Sequence, residues 1–154
     1  MEERISYTPY VIKYSFFVAI ALIVYFLIMS LVGFLTDFHL RYLNFFILLA
    51  GIYFAKKRYI EAKKGQLEYL EGLLLGSFIS AGAGLIFGMF VFFYLSYLNI
   101  DFMNYLREHA PFGDYLTPAS AAFVIMMEAA ASGAIISFIF MQLWKKKLPQ
   151  QENI

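Results

Sequence analysis

Charge is absent from this chain over stretches as long as a lipid bilayer is thick. Residues 14–36 and 72–100 contain no Asp, Glu, Lys or Arg, and residues 119–144 contain only Glu128. At about 1.5 Å per helical residue, each stretch can cross a hydrocarbon core of about 30 Å. The second stretch is longer than one crossing, so its helix must tilt or protrude. Composition points the same way. The chain is 62% hydrophobic and 15% charged, where a soluble domain carries about 45–50% and about 25%. A disordered chain is excluded, and a net charge of +1 excludes a cationic nucleic-acid binder. With no cysteine, thiol catalysis, iron–sulfur clusters and Cys-based zinc sites are excluded too.

A fourth uncharged stretch, 42–55, is short for a crossing, and the distribution of basic residues decides how it is read. With four crossings and an internal N-terminus, one side of the membrane receives Arg4 and Lys13, then Lys56, Lys57, Arg58, Lys63 and Lys64, then Lys145, Lys146 and Lys147. Of the 12 Lys and Arg, only Arg41 and Arg107 fall on the other side. With the N-terminus inside, three crossings would put both the central basic loop and the C-terminal lysines outside, against the positive-inside bias. The short helix can lengthen because Arg41 and Lys56 can snorkel to the two interfaces. The expectation is an all-α, polytopic membrane protein. It is a single domain, 1–154, with helices at about 9–36, 39–58, 67–100 and 118–145 and both termini cytoplasmic. The first apolar run is too long for the h-region of a signal peptide and stays as a helix.

Punctuation residues support these limits. Thr8-Pro9 and Thr117-Pro118 place a capping hydroxyl before a proline ahead of the first and fourth helices. Gly65 interrupts the basic loop. Asp101 is expected to cap a short helix, about 101–110, stopped by Pro111 and Gly113. In it Phe102, Tyr105, Leu106 and His109 share one face, as in a helix lying on the outer leaflet. Tyr10, Tyr14, Phe38, Tyr42, Tyr94, Tyr97 and Trp144 fall near the expected interfaces.

Four features could carry chemistry. Gly72, Gly76, Ser80, Gly84 and Gly88 recur every four residues along the third helix. Such a groove lets two backbones touch in lipid, where no hydrophobic force drives helices together. Packing within the bundle is the leading reading, and a seam for a homodimer or for another membrane subunit is the sharper one. Glu128 is the one acid deep in an expected span, roughly 5 Å outside the midplane. No Lys or Arg is expected at that depth, so an internal ion pair is ruled out and desolvation favours the neutral acid. Its depth-matched partners are Ser132, Ser30, Asn44 and Tyr94, an intramembrane polar site that either glues helices or couples to a proton or cation. His39 and His109 share the outer face with Asp37, Asp101, Glu108 and Asp114, but no ligand spacing converges, so no metal or haem is expected. The basic clusters are explained by topology, although such clusters also attract anionic headgroups.

Three stretches carry a family resemblance. The second helix ends in Gly51-Ile-Tyr-Phe-Ala-Lys-Lys; Gly65-Gln-Leu-Glu-Tyr-Leu-Glu-Gly72 leads into the glycine-rich helix; and Glu128-Ala-Ala-Ala-Ser-Gly-Ala-Ile-Ile-Ser137 precedes the closing lysines. In these the chain resembles an uncharacterised family of small four-helix membrane proteins from Bacteroidota, described only as a domain of unknown function. The resemblance implies the fold, the topology and an inner-membrane address, and no activity.

The leading functional expectation is a non-enzymatic accessory or scaffold subunit that associates through its helix faces. Its partners are the lipid bilayer and a second copy or other membrane subunits, with no nucleic acid and no cofactor. The alternative is a small oligomeric proton- or cation-coupled transporter using Glu128, and the one-sided charge would make any dimer parallel. A lipid-modifying enzyme ranks last, because no polar groups converge at an interface.

Overall fold

The computed structural model describes residues 5–37, 39 and 41–145, which form helices and turns with no strand among them. Arg4, Phe38, Lys146 and Lys147, used above for topology and the interfaces, lie outside the described residues. The helices are α1 (Thr8–Val32), α2 (Arg41–Ala62), α3 (Tyr69–Phe93), α4 (Ile100–His109) and α5 (Pro118–Lys145). A π-helical turn, Tyr94–Leu98, continues α3, and a 3-10 turn, Gly113–Tyr115, precedes α5. Three helices are long and apolar enough to cross a membrane: Thr8–Val32, Tyr69–Leu98 and Pro118–Trp144.

Several limits differ from expectation, each for a local reason. Helix α1 stops at Val32 because Gly33 takes a left-handed φ of 83°, and its N–H reaches the carbonyls of Met29 and Ser30. A glycine there meets no Cβ penalty and closes the last turn. Thr8 does not cap α1. The helix starts after Tyr7 with no side-chain cap, and the Thr8 N–H donates to Ser6 Oγ at 3.3 Å. Thr117 does cap α5: its Oγ1 accepts from the Ser120 N–H at 3.1 Å, while Ser120 Oγ accepts from the Thr117 N–H at 2.8 Å. The cap of α4 is Asn99 rather than Asp101, with Oδ1 accepting from the Phe102 N–H at 2.9 Å. Helix α2 runs through Lys56, Lys57 and Arg58, which the sequence assigned to its end and the following loop. It turns at Lys64 and Gly65, whose φ angles are 54° and 84°.

Helix α3 is the centre of the molecule. Half of its apolar window, 50%, is buried, against 22% for α1 and 17% for α5. Helices α1 and α5 flank it, and α2 packs across one side, touching all three. On the other side Phe78, Leu85, Met89 and Phe93 form one uncovered stripe at helical spacing.

The α3–α5 contact sets the small-residue ladder of α3 against a mixed stripe of small residues and methionines on α5. A Cβ added at Gly72 would strike Met141; at Gly76, Ser137; at Gly84, Ala129; at Gly88, Met126. The order reverses at Ser80, where α5 supplies the glycine: a Cβ on Gly133 would lie 1.6 Å from Ser80 Oγ. Every four-residue step up α3 is met by a step of about four back along α5. The ladder is therefore filled by a complementary stripe of the same chain, which gains close dispersion contact.

Candidate functional site

Three groups of polar side chains in and on the bundle bear on the expected site, at three depths. The first surrounds Lys56, which is 0% exposed. Its Nζ donates to the Ser137 carbonyl at 2.9 Å and lies 5.9 Å from the centre of the Phe140 ring. Ser137 Oγ, also 0% exposed, donates in turn between the Leu73 and Gly72 carbonyls, at 2.9 and 3.1 Å. Helices α2, α5 and α3 are thus joined by one relay of hydrogen bonds. The sequence reading missed Lys56, treating it as an interfacial charge. The signal was present, because Leu48, Ile52, Ala55, Lys56 and Tyr59 all fall on the buried face of α2.

The second group contains Glu128, and here the structure corrects the sequence. Glu128 does have a cationic partner: Arg41 Nη2 donates to Glu128 Oε2 at 3.2 Å. The reason is register. Gly76 faces both Ile52 of α2 and Ser137 of α5, so those two residues share a level. The rises from Ile52 to Arg41 and from Ser137 to Glu128 differ by about two residues, roughly 3 Å. The first residue of α2 is therefore level with Glu128, and its long side chain closes the gap. The two side chains are 55% and 59% exposed from the protein, so the pair lies on the flank of the bundle.

Glu128 gains none of its expected hydroxyl and amide partners. Ser30 Oγ instead bonds Tyr94 Oη at 2.5 Å, and Asn99 Nδ2 donates to the same phenol at 3.1 Å. This third group sits on the π turn, where the Asn99 N–H reaches the Tyr94 carbonyl at 2.9 Å. Tyr94 continues the buried face of α3 after Phe87 and Val91 and packs against Phe26 at 4.9 Å between ring centres. Asn44 Oδ1 is buried with no partner among the described residues. Ser132 is half-buried and makes no hydrogen bond to Glu128. The expected polar site is thus divided: Glu128 with Arg41, Ser30 with Tyr94 and Asn99, and Asn44 and Ser132 apart.

Outside the apolar spans, Lys63 hydrogen-bonds Glu71 across the α2–α3 turn. Burial alone would lower the Lys63 pKa; the hydrogen bond to Glu71 and the nearby Tyr59 and Glu71 charges outweigh it and raise the pKa. Among the described residues no three His, Asp or Glu side chains converge as metal ligands. The His109 ring stacks on Tyr105 at 4.0 Å, and its Nδ1 lies 3.0 Å from the Tyr105 carbonyl. Comparison with protein-family models, curated proteins and solved structures finds no match, so the chemistry of these groups is read from their geometry alone.

Proposed function

We propose that the chain is an inner-membrane protein that crosses four times, with both termini cytoplasmic, and serves as a non-enzymatic accessory or scaffold subunit. Helix α2 supports the fourth crossing. It is 22 residues long, about 33 Å at 1.5 Å per residue, and it meets its neighbours along that length, at Arg41–Glu128, Gly51–Val18, Ile52–Gly76 and Lys56–Ser137. Its charges are accommodated, with Arg41 on Glu128 and Lys56 on the Ser137 carbonyl. Taking Lys13 and Lys57 as the inner boundary, α2 rises about 24 Å from Lys57 to Arg41, against a core of about 30 Å. Arg41 then lies only about 6 Å inside the outer boundary, within reach of headgroups and water.

The observation that carries the accessory reading is the open side of α3. The helix that organises the bundle leaves Phe78, Leu85, Met89 and Phe93 about half exposed between its flanking helices. Its small-residue seam is already occupied by α5, so association with a second copy or another subunit would use this stripe. A photo-crosslinking side chain at Leu85 or Met89, irradiated in native membranes, tests it. An adduct of one defined protein mass, missing when the crosslinker is at Phe17 of α1, supports the reading. Adducts with lipid alone at all three positions would contradict it. The alternative, proton or cation coupling through Glu128, now has to include Arg41. Unchanged ion flux for Glu128→Gln in proteoliposomes would remove it.

A further inference from the structure

Between α1 and α2 the surface is hollowed into an open groove of about 980 Å³. Its floor is low because small residues, Ala21, Ala50 and Gly51, line it. At Gly51 the helices are so close that an added Cβ would lie 2.2 Å from Val18 Cγ2. Phe17 and Phe54, 59% and 58% exposed, also line the groove as the bulky residues beside that floor. From its cationic end the groove runs about 12 Å along α1, Lys13 to Ala21, and about 16 Å along α2, Arg58 to Ile47, close to half of a 30 Å core and therefore about one leaflet deep. One end is apolar. The other carries Lys13, Arg58, Tyr10 and Tyr14, with Glu61 beside Arg58 at 3.9 Å. The Lys13 ammonium also lies 5.9 Å from the Tyr14 ring centre.

We propose that this groove holds an acyl chain of an anionic phospholipid, with the headgroup phosphate between Lys13 and Arg58. The length, the apolar trough and the cationic end match that amphiphile in order. A zwitterionic lipid would satisfy the trough but would bring its own cation to Lys13 and Arg58. The Arg58–Glu61 contact does not cancel the site, since both side chains are more than half exposed and an exposed pair at this distance is weak. A phosphate can also take charge-assisted hydrogen bonds from the guanidinium and the ammonium together. The proposal rests on insertion of the chain in a bilayer, and not on which partner subunit it meets.

The test is native mass spectrometry of the full chain, delipidated in detergent and titrated with phosphatidylglycerol or phosphatidylcholine of identical acyl chains. Phosphatidylglycerol should be retained about tenfold more tightly, which is about 1.4 kcal/mol. Lys13→Gln with Arg58→Gln should abolish that preference while leaving phosphatidylcholine retention unchanged. Lys57→Gln with Lys64→Gln, the same loss of charge outside the groove, should leave it intact. Ala50→Phe fills the trough from an exposed position and should weaken retention of both lipids. Excess inorganic phosphate should not displace bound lipid. Equal retention of the two lipids, or equal loss from the two charge-pair variants, would overturn the proposal. So would displacement by phosphate alone, or a dimer, blocked by Ala50→Phe, that excludes lipid. Carbonate extraction of the chain from membranes would instead show that the bilayer reading itself had failed.

Discussion

Gly133→Ala is a sharp perturbation of the α3–α5 packing, because the atom it adds has nowhere to go. The new Cβ would lie 1.6 Å from Ser80 Oγ and 2.0 Å from Ser80 Cβ. A rotamer change can move the hydroxyl, but Cβ is fixed to the backbone, so α3 and α5 must separate by at least about 1 Å. A gap of 0.5–1 Å forfeits about a quarter to a half of each dispersion contact, and the loss extends to Gly76–Ser137 and Gly84–Ala129 on either side. Overpacking costs about 1–3 kcal/mol in general, and this site belongs near about 3 kcal/mol. Ser80→Gly alone should cost about 1 kcal/mol, mainly through helix propensity. Together the two substitutions exchange knob and hole, so the double variant should be more stable than Gly133→Ala by at least about 1 kcal/mol. Unfolding in mixed detergent–SDS micelles measures this, followed by the fluorescence of Trp144, the only tryptophan, which stacks on Phe140 at 5.7 Å. The midpoint should not depend on protein concentration, as it would if the seam joined two copies. Coupling below about 0.5 kcal/mol between the two positions would refute the seam.

Three further outcomes follow from the polar groups. A double-mutant cycle of Arg41→Gln and Glu128→Gln should give a coupling of no more than about 1 kcal/mol, the range of an exposed pair; several kcal/mol would place the pair deep in hydrocarbon. Lys56→Ala should cost about 2–4 kcal/mol through the cavity it leaves, whereas Lys56→Met, of similar shape, should stay within about 1 kcal/mol, because replacing a buried charge with an apolar isostere is often neutral; the same micelle titration reads both. The raised pKa of Lys63 contributes stability that is fully present below its ordinary value of 10.5 and is lost as pH rises through the folded value; Lys63→Met should flatten that alkaline loss in a stability–pH series.

Much of the architecture was legible because lipid simplifies the code. Uncharged runs mark α1, α3 and α5 directly, and Thr117-Pro118 marks the start of α5. The ladder on α3 was legible as a packing face, and the small residues Ala129 to Ala134 as a thin stretch of α5 that neighbours can approach, but the register of the two was not, since Ala129, Gly133, Ser137 and Met141 differ in size and show a stripe only once α3 supplies it. Glu128 was misread for a related reason. Depth within one helix was counted from that helix's own ends, whereas its partner depends on where α2 begins relative to α5. Lys56 shows the limit of charge as a boundary signal. Its charge argued for a helix end, but it shares the buried face of α2 with Ile52 and Tyr59, and packing against Ser137 and Phe140 prevailed. The π turn at Tyr94–Leu98 had no signal in composition, because it depends on the tertiary anchoring of Tyr94 by Ser30, Asn99 and Phe26.

Four crossings with a cytoplasmic α2–α3 turn can be tested by labelling in intact cells, since the chain has no cysteine of its own. Asp37→Cys lies in the exposed connection between α1 and α2, and Gln66→Cys in the exposed turn between α2 and α3. A membrane-impermeant maleimide should label position 37 in intact cells and position 66 only after permeabilisation. Labelling of position 66 from outside, with position 37 protected, would contradict the orientation. Labelling of both positions from outside, or of neither, would contradict the crossing by α2 itself.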